Sequence, residues 1–413
     1  VTRLLPEAAV DPSLLWEELA RDGGRIALLV VDGLGGLPDP KTGRSELATA
    51  TTPHLDELAA GGACGLIEPV AAGVTPGSGP GHLALFGYHP LRYRIGRGIL
   101  SALGSEFELV EGDVAARVNF ATVDAWGRVQ DRRAGRIATE ENRALCKRIR
   151  ENVTLEDGVE WFLEPVRDHR AVLVLRGPGL SGAVGDTDPH RTGVAPRPVE
   201  ARQSDARRTA RLVECWVDRC GRVLAGEKRA NAILLRGFGT HRPLPSLEAR
   251  FGLRGACLAE YSMYRGLSRL LGLEVAPRPG DPTSLFEREL PSYWREDHDF
   301  CFLHFKATDS SGEDGHFDAK VAALEQLDGL IPHLVALDPA VLVVTGDHST
   351  PARMAEHSWH PVPLLIRAPS ARVDDVRAFD ELACARGALG LRPTLDVMGL
   401  ALGHAGRLRK FGA

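Results

Sequence analysis

Asp347 and His348 stand side by side in the stretch VLVVTGDHSTPARMAEHSWHPVP, and His357 follows nine residues later. An adjacent carboxylate and imidazole with a third donor close behind offer oxygen and nitrogen ligands to a divalent metal ion. Two further aspartates follow apolar runs in the same way: Asp32 after IALLVV and Asp309 after FCFLHF. Ser78 lies in the Gly- and Pro-rich segment VTPGSGPGH, immediately before the helix-patterned HLALFGY. A serine there exposes its hydroxyl where backbone N–H groups favour an incoming anion. Taken alone, that serine is better explained as a helix cap. Three strand-end carboxylates, two histidines and a loop serine together suit two-metal phosphoryl transfer. In that chemistry one ion lowers the pKa of the serine hydroxyl while both stabilise charge on the phosphoryl oxygens.

Such a set needs strands to deliver it. The runs IALLVV, FCFLHF and VLVV read as buried strands of a parallel sheet, and ligands of open α/β sheets bind outside the carboxyl ends of the strands. VVDGLGG does not complete a dinucleotide fingerprint. A helix is expected after Asp11-Pro12-Ser13, and another from Thr52-Pro53. From about 106 to 195 the texture changes to short strands around a turn, a basic loop, a helix and a further strand. That segment reads as an inserted lid, whose loop DRRAGR could clamp a phosphate or carboxylate by bidentate hydrogen bonds. A helix over 202–225 leads to the strand ANAILLRGFG, the helix around CLAEYSMYRGLSRLLG and the short strand LEV restore the α/β alternation, and 276–297 reads as a surface loop with one short helix. The expected fold is α/β, a mostly parallel sheet sandwiched by helices. Residues 1–105 and 196–413 form its core, with an α+β insertion at 106–195.

The 413 residues are 44% hydrophobic and 25% charged, with a net charge of −5, which is ordinary for a soluble globular protein. The arginines are scattered rather than massed, which argues against nucleic acid. The seven cysteines are dispersed without a CxxC pair, fitting reduced thiols. No run is long enough for a membrane span, and the expectation is a cytoplasmic protein. A homo-oligomer is compatible with all of this.

The motifs VVDGLGG, TPGSGPGHLALFGY, GRGILSALG, ARVNFAT, DRRAGRI, HRAVLVLRG, LHFKATD, VTGDHSTP and HSWHPVPLL occur in order. In this the chain resembles archaeal-type cofactor-independent phosphoglycerate mutases of the alkaline phosphatase superfamily, from about Ile26 to the C-terminal FGA. The resemblance implies an alkaline-phosphatase-like fold and an isomerase that moves phosphate between the 3- and 2-positions of glycerate through a phosphoserine. It implies two divalent ions, Mn²⁺ first with Co²⁺, Zn²⁺ or Mg²⁺ as alternatives, and no bisphosphoglycerate. By motif, Asp32, Ser78, Asp347 and His348 would bind one ion, and Asp309 and His357 the other. Many relatives carry His four positions after that second-site Asp. Here the residue is Glu313, an oxygen ligand in its own right, with His316 three further on. Arg97, Arg132, Arg133, Arg136, His169, Arg170, Arg236 and Lys306 match cationic positions that would hold phosphate and carboxylate. A phosphomonoesterase or another small-molecule phosphotransferase on the same scaffold is the alternative reading, and a non-catalytic metabolite binder would be expected to lose Ser78 or several ligands.

Overall fold

The six apolar residues of β1 (Ile26–Val31) are all buried, because both faces of this strand are covered. The computed structural model describes residues 11–155, 158–278, 280–295 and 297–412. The other strands, in order, are β2 (Ala63–Glu68), β3 (Val114–Val123), β4 (Val129–Asp131), β5 (Glu160–Arg167), β6 (Arg170–Arg176), β7 (Ala232–Thr240), β8 (Gly255–Leu258), β9 (Glu274–Val275), β10 (Phe300–Phe305), β11 (Val341–Thr345), β12 (Val362–Arg367) and β13 (Gly390–Pro393). The chain divides into two compact units, one of Val1–Arg94, Pro245–Tyr261 and Leu271–Ala413, the other of Ile95–Leu244 and Ser262–Leu270.

The first unit is built on an eight-stranded sheet in the order β13-β2-β12-β11-β1-β10-β8-β9. It is parallel except for β12, which runs antiparallel to both neighbours. This is the mostly parallel α/β sheet read from the sequence. β1 lies between β10 and β11, with Val31 opposite Phe305 and Val30 opposite Thr345. The carboxyl ends of these three strands are therefore neighbours, and the loops leaving them start side by side.

In the second unit β4, β3, β6, β5 and β7 pair antiparallel. The insertion is longer than the expected 106–195. The strand ANAILLRGFG does not resume the parallel sheet; as β7 it pairs with β3, from Ala121 opposite Ala232 to Val114 opposite Thr240. The helix Arg207–Leu224 turns Val213, Trp216, Cys220 and Leu224 into the core of the same unit. An apolar strand pattern specifies a buried strand but not the sheet it joins, and the expected boundary failed for that reason.

Two smaller expectations change as well. The segment 282–295 is a run of helical turns that buries Leu285, Phe286, Leu290 and Trp294. Asp309 is not at the end of a strand but in the first turn of the helix Ala307–Glu313.

Candidate metal centre

β1 ends at the buried Asp32, and β11 delivers the buried Asp347 and His348. Ser78 opens the helix Ser78–Leu85, but Gly77 holds the cap position, so the serine hydroxyl is not spent on capping. Ser78 Oγ lies 3.2 Å from His348 Nε2. The same nitrogen stands 3.2 Å from Asp347 Oδ2 and 3.4 Å from Asp32 Oδ1. Ligand atoms about 2.0–2.1 Å from one tetrahedral ion are themselves separated by roughly 3.3 Å, so this set has the spacing of a coordination shell.

The tautomer of His348 follows from Thr350. Its hydroxyl donates to Asp309 Oδ1 at 2.7 Å and lies 3.0 Å from His348 Nδ1. Having given its one hydrogen to the carboxylate, the hydroxyl accepts from Nδ1–H, and Nε2 keeps its lone pair. Burial lowers the His348 pKa to about 4, so the ring is neutral and its free lone pair faces Ser78, Asp32 and Asp347.

A second group surrounds His357. Its Nδ1 lies 3.1 Å from the Pro76 carbonyl, which only accepts, so Nε2 is turned to Asp309 Oδ1 and Glu313 Oε1, each at 3.6 Å. Asp309 and Glu313 are four apart on one helix and share a face. Glu313, its side chain 56% exposed, stands beside Asp309 and His357, whereas His316 lies at the start of the next helix, Phe317–Asp328. The His348 and His357 rings stack with centroids 3.6 Å apart.

Electrostatics favour cations here. Asp32, Asp309 and Asp347 are buried together, and Lys306 is the ammonium between them, 2.9 Å from Asp32 Oδ2 and bonded to Asp309. Burial raises the Asp347 carboxyl, and the charge of Asp32 raises it further. Burial also acts to raise Asp32, but Lys306, His304 and His348 outweigh it and hold that carboxyl low. Asp347 Oδ2 is buried without a hydrogen-bond donor, as expected of an oxygen meant for an ion. The residues present fit a pair of divalent ions. The grouping Asp32, Asp347 and His348 and the grouping Asp309, His348 and His357 each hold donor atoms close enough for one ion. The Thr350 bond assigns the His348 lone pair to the first.

For His357, burial alone would lower the pKa, but Glu313, the Pro76 carbonyl and Asp309 raise it to about 9. In the metal-free protein the ring is therefore charged at pH 7, and an ion entering beside it displaces that proton. The apparent affinity of the second Mn²⁺ should rise about tenfold per pH unit between pH 7 and 9. Calorimetric titration in buffers of different ionisation enthalpy should report close to one proton released; a pH-independent affinity would contradict this.

Sequence reasoning missed several residues that hold the centre in shape. Lys320 is fully buried, and its ammonium donates to the carbonyls of Gly33, Gly35 and Thr350 at 2.8, 3.0 and 2.9 Å, clamping the loops after β1 and β11. Glu46 and Glu381 are the carboxylates whose charge favours its charged form most. Nothing in FDAKVAALEQLD marks this lysine as other than a surface residue. Lys320→Met should destabilise the protein by about 3 kcal/mol, since three buried carbonyls lose their donor and the glutamates lose their counter-charge; denaturant unfolding measures it.

The predicted cationic residues fall into two places. Lys306 is in the centre just described. In the inserted unit the charges of Arg97, Arg132 and Arg170 all reach Arg236, whose pKa is lowered first by burial and then by them. Arg236 lies opposite Arg117, a residue the sequence reading passed over, and Arg170 opposite Asn119. His169 is buried and held down to about 4, first by burial and then by Arg170, Arg133 and Arg117. Arg132 is already committed: Asp188 takes its guanidinium in two bonds of 2.8 Å. Arg136 is exposed in the turn Ala134–Arg136.

Residues 59–229 match the sequence model of the family described as 2,3-bisphosphoglycerate-independent phosphoglycerate mutase. A Thermus thermophilus protein named as a probable member is 47% identical over 400 residues, spanning 96% of this chain and 98% of that protein. A protein of the same name from Aquifex aeolicus is 44% identical over 404 residues, spanning 96% and 99%. Among solved structures, the cofactor-independent phosphoglycerate mutase of Thermoplasma acidophilum is similar with a TM-score of 0.70 and 32% identity, over 93% of this chain and all of that one. A protein of Pyrococcus horikoshii gives a TM-score of 0.81 at 28% identity, over 95% of this chain and all of that one.

Proposed function

This chain belongs to the 2,3-bisphosphoglycerate-independent phosphoglycerate mutase family, and from that premise we propose that it interconverts 3-phosphoglycerate and 2-phosphoglycerate through a phosphoserine at Ser78. The observation that carries this reading is the hydroxyl of Ser78 set against the lone pair of His348 between two buried aspartates. Asp32, Ser78, Asp347 and His348 would hold the first divalent ion, and Asp309, Glu313 and His357 the second, with manganese our assignment for both. Bound there, the ions would acidify the serine hydroxyl and neutralise the phosphoryl oxygens.

Ser78 Oγ attacks the substrate phosphorus in line. The new Oγ–P bond forms as the ester P–O bond breaks, and the glycerate oxygen leaves. The retained glycerate reorients, and its other hydroxyl takes the phosphoryl group back from Ser78. We assign Arg97, Arg133, His169, Arg170 and Arg236 to the substrate's anionic groups. The inserted unit would serve as a lid that keeps water from the phosphoserine, the property that separates a mutase from a phosphatase. Among the described residues no helix is long and apolar enough to cross a membrane, and we place the enzyme in the cytoplasm.

The test is phosphorus NMR of purified protein with 3-phosphoglycerate and Mn²⁺ and no bisphosphoglycerate. A 2-phosphoglycerate signal that a chelator abolishes is the expected result. Inorganic phosphate in its place would make the protein a phosphomonoesterase.

A further inference from the structure

Two histidines with no part in that chemistry are buried beside the nucleophile. His82 is four residues after Ser78 on the same helix face, and His304 is on β10; both side chains are closed to solvent, with ring centroids 5.4 Å apart. His82 Nδ1 lies 2.9 Å from the carbonyl oxygen of Ser78 and 3.2 Å from Asp347 Oδ2. A carbonyl cannot donate, so this nitrogen carries the hydrogen and gives it to the nucleophile's own backbone, with the ion-facing oxygen of Asp347 packed beside it. His304 Nε2 is 3.3 Å from Asp32 Oδ2, whereas it is Oδ1 of Asp32 that faces His348. Around the pair the packing is aromatic, with Phe302 edge-on to His82 at 5.7 Å. Filling that space would need only an apolar residue, yet each ring instead aims a nitrogen at a different carboxylate. The backbone is fitted just as closely: a Cβ on Gly81 would come within 2.4 Å of the Asp347 carbonyl, so the helix rests directly on the Asp347 peptide.

We propose that His82 and His304 are positioning residues that hold Asp347 and Asp32 in the geometry the first ion requires, with His82 also locking the Ser78 backbone to it. The inference rests on the assignment of that ion to Asp32, Ser78, Asp347 and His348. Without its imidazole Asp347 loses the polar group packed against Oδ2, and Asp32 Oδ2 is left to Lys306; loss of such a supporting partner typically weakens metal binding about 10- to 100-fold.

The experiment is titration of the metal-free, full-length protein with Mn²⁺, followed by electron paramagnetic resonance of the free ion, with thermal unfolding recorded without metal. His82→Leu and His304→Leu should weaken the first Mn²⁺ about 10- to 100-fold and leave the second in place. His82→Asn, whose amide nitrogen falls near the position of Nδ1, and His304→Gln, whose amide nitrogen falls near Nε2, should recover most of that loss. A purely structural role would lower the unfolding temperature without separating the two ions and without rescue by the amides. Wild-type first-ion affinity in both Leu variants would overturn the proposal, as would amide variants no better than Leu. Should the Leu variants fail to fold, His82→Asn against His82→Gln decides, because the longer amide overshoots the Nδ1 position; equal affinities would overturn it. Asp32→Asn is the control on the premise: if that variant keeps two ions at full affinity, the ion assignment itself falls.

Discussion

Replacing Ser78 with Ala is expected to lower turnover by about 10⁵-fold or more while leaving the protein folded and loaded with metal. The loss is large because the hydroxyl is the atom that carries the phosphoryl group between the two positions, and no neighbouring group can take its place. Asp32, Asp347 and His348 remain as donors, so Mn²⁺ content by elemental analysis should stay at two per chain. Since Gly77 rather than Ser78 caps the helix, the substitution costs little stability. Rapid-quench analysis with labelled substrate should find phosphoserine in the wild type and none in the variant. Turnover within tenfold of wild type would remove Ser78 from the role of nucleophile.

The second large effect is expected from Asp347→Asn, and its two parts have opposite signs. Activity should fall about 10³- to 10⁴-fold, because one of the buried carboxylates around the first ion is gone and bound Mn²⁺ drops from two per chain to one. The metal-free variant should nonetheless be more stable than metal-free wild type at pH 8, by about 1–2 kcal/mol. Burial and the neighbouring Asp32 raise the Asp347 carboxyl above its unfolded value. The folded state therefore holds that proton more tightly than the unfolded state does. Stability from this group is full below the unfolded pKa and is lost as pH rises through the folded one. An amide has no proton to lose, so the advantage of the variant should widen from pH 5 to pH 8. Denaturant unfolding in chelator at both pH values measures it, and an advantage that does not grow with pH would contradict the account.

Local pattern alone determined a good part of this protein. The runs IALLVV and VLVV are apolar throughout and FCFLHF is so apart from His304, as suits strands covered on both faces, so the residues after them could be named as candidates before any pairing was known. The Gly-rich approach to Ser78 likewise announced a helix start. Tertiary structure decided what those residues do to one another. Whether Ser78 caps its helix or faces a lone pair depends on Gly77 and on His348, 270 residues away. That Glu313 rather than His316 stands beside Asp309 follows from the single helix that puts Asp309 and Glu313 on one face and leaves His316 to begin the next. Lys320, His82 and His304 carry no local mark at all, since their significance lies in the carbonyls and carboxylates of distant segments that the fold packs around them. The same limit misplaced β7. Side-chain periodicity records which face of an element is buried, but the partner is fixed by long-range register, which put β7 beside β3 rather than in the parallel sheet.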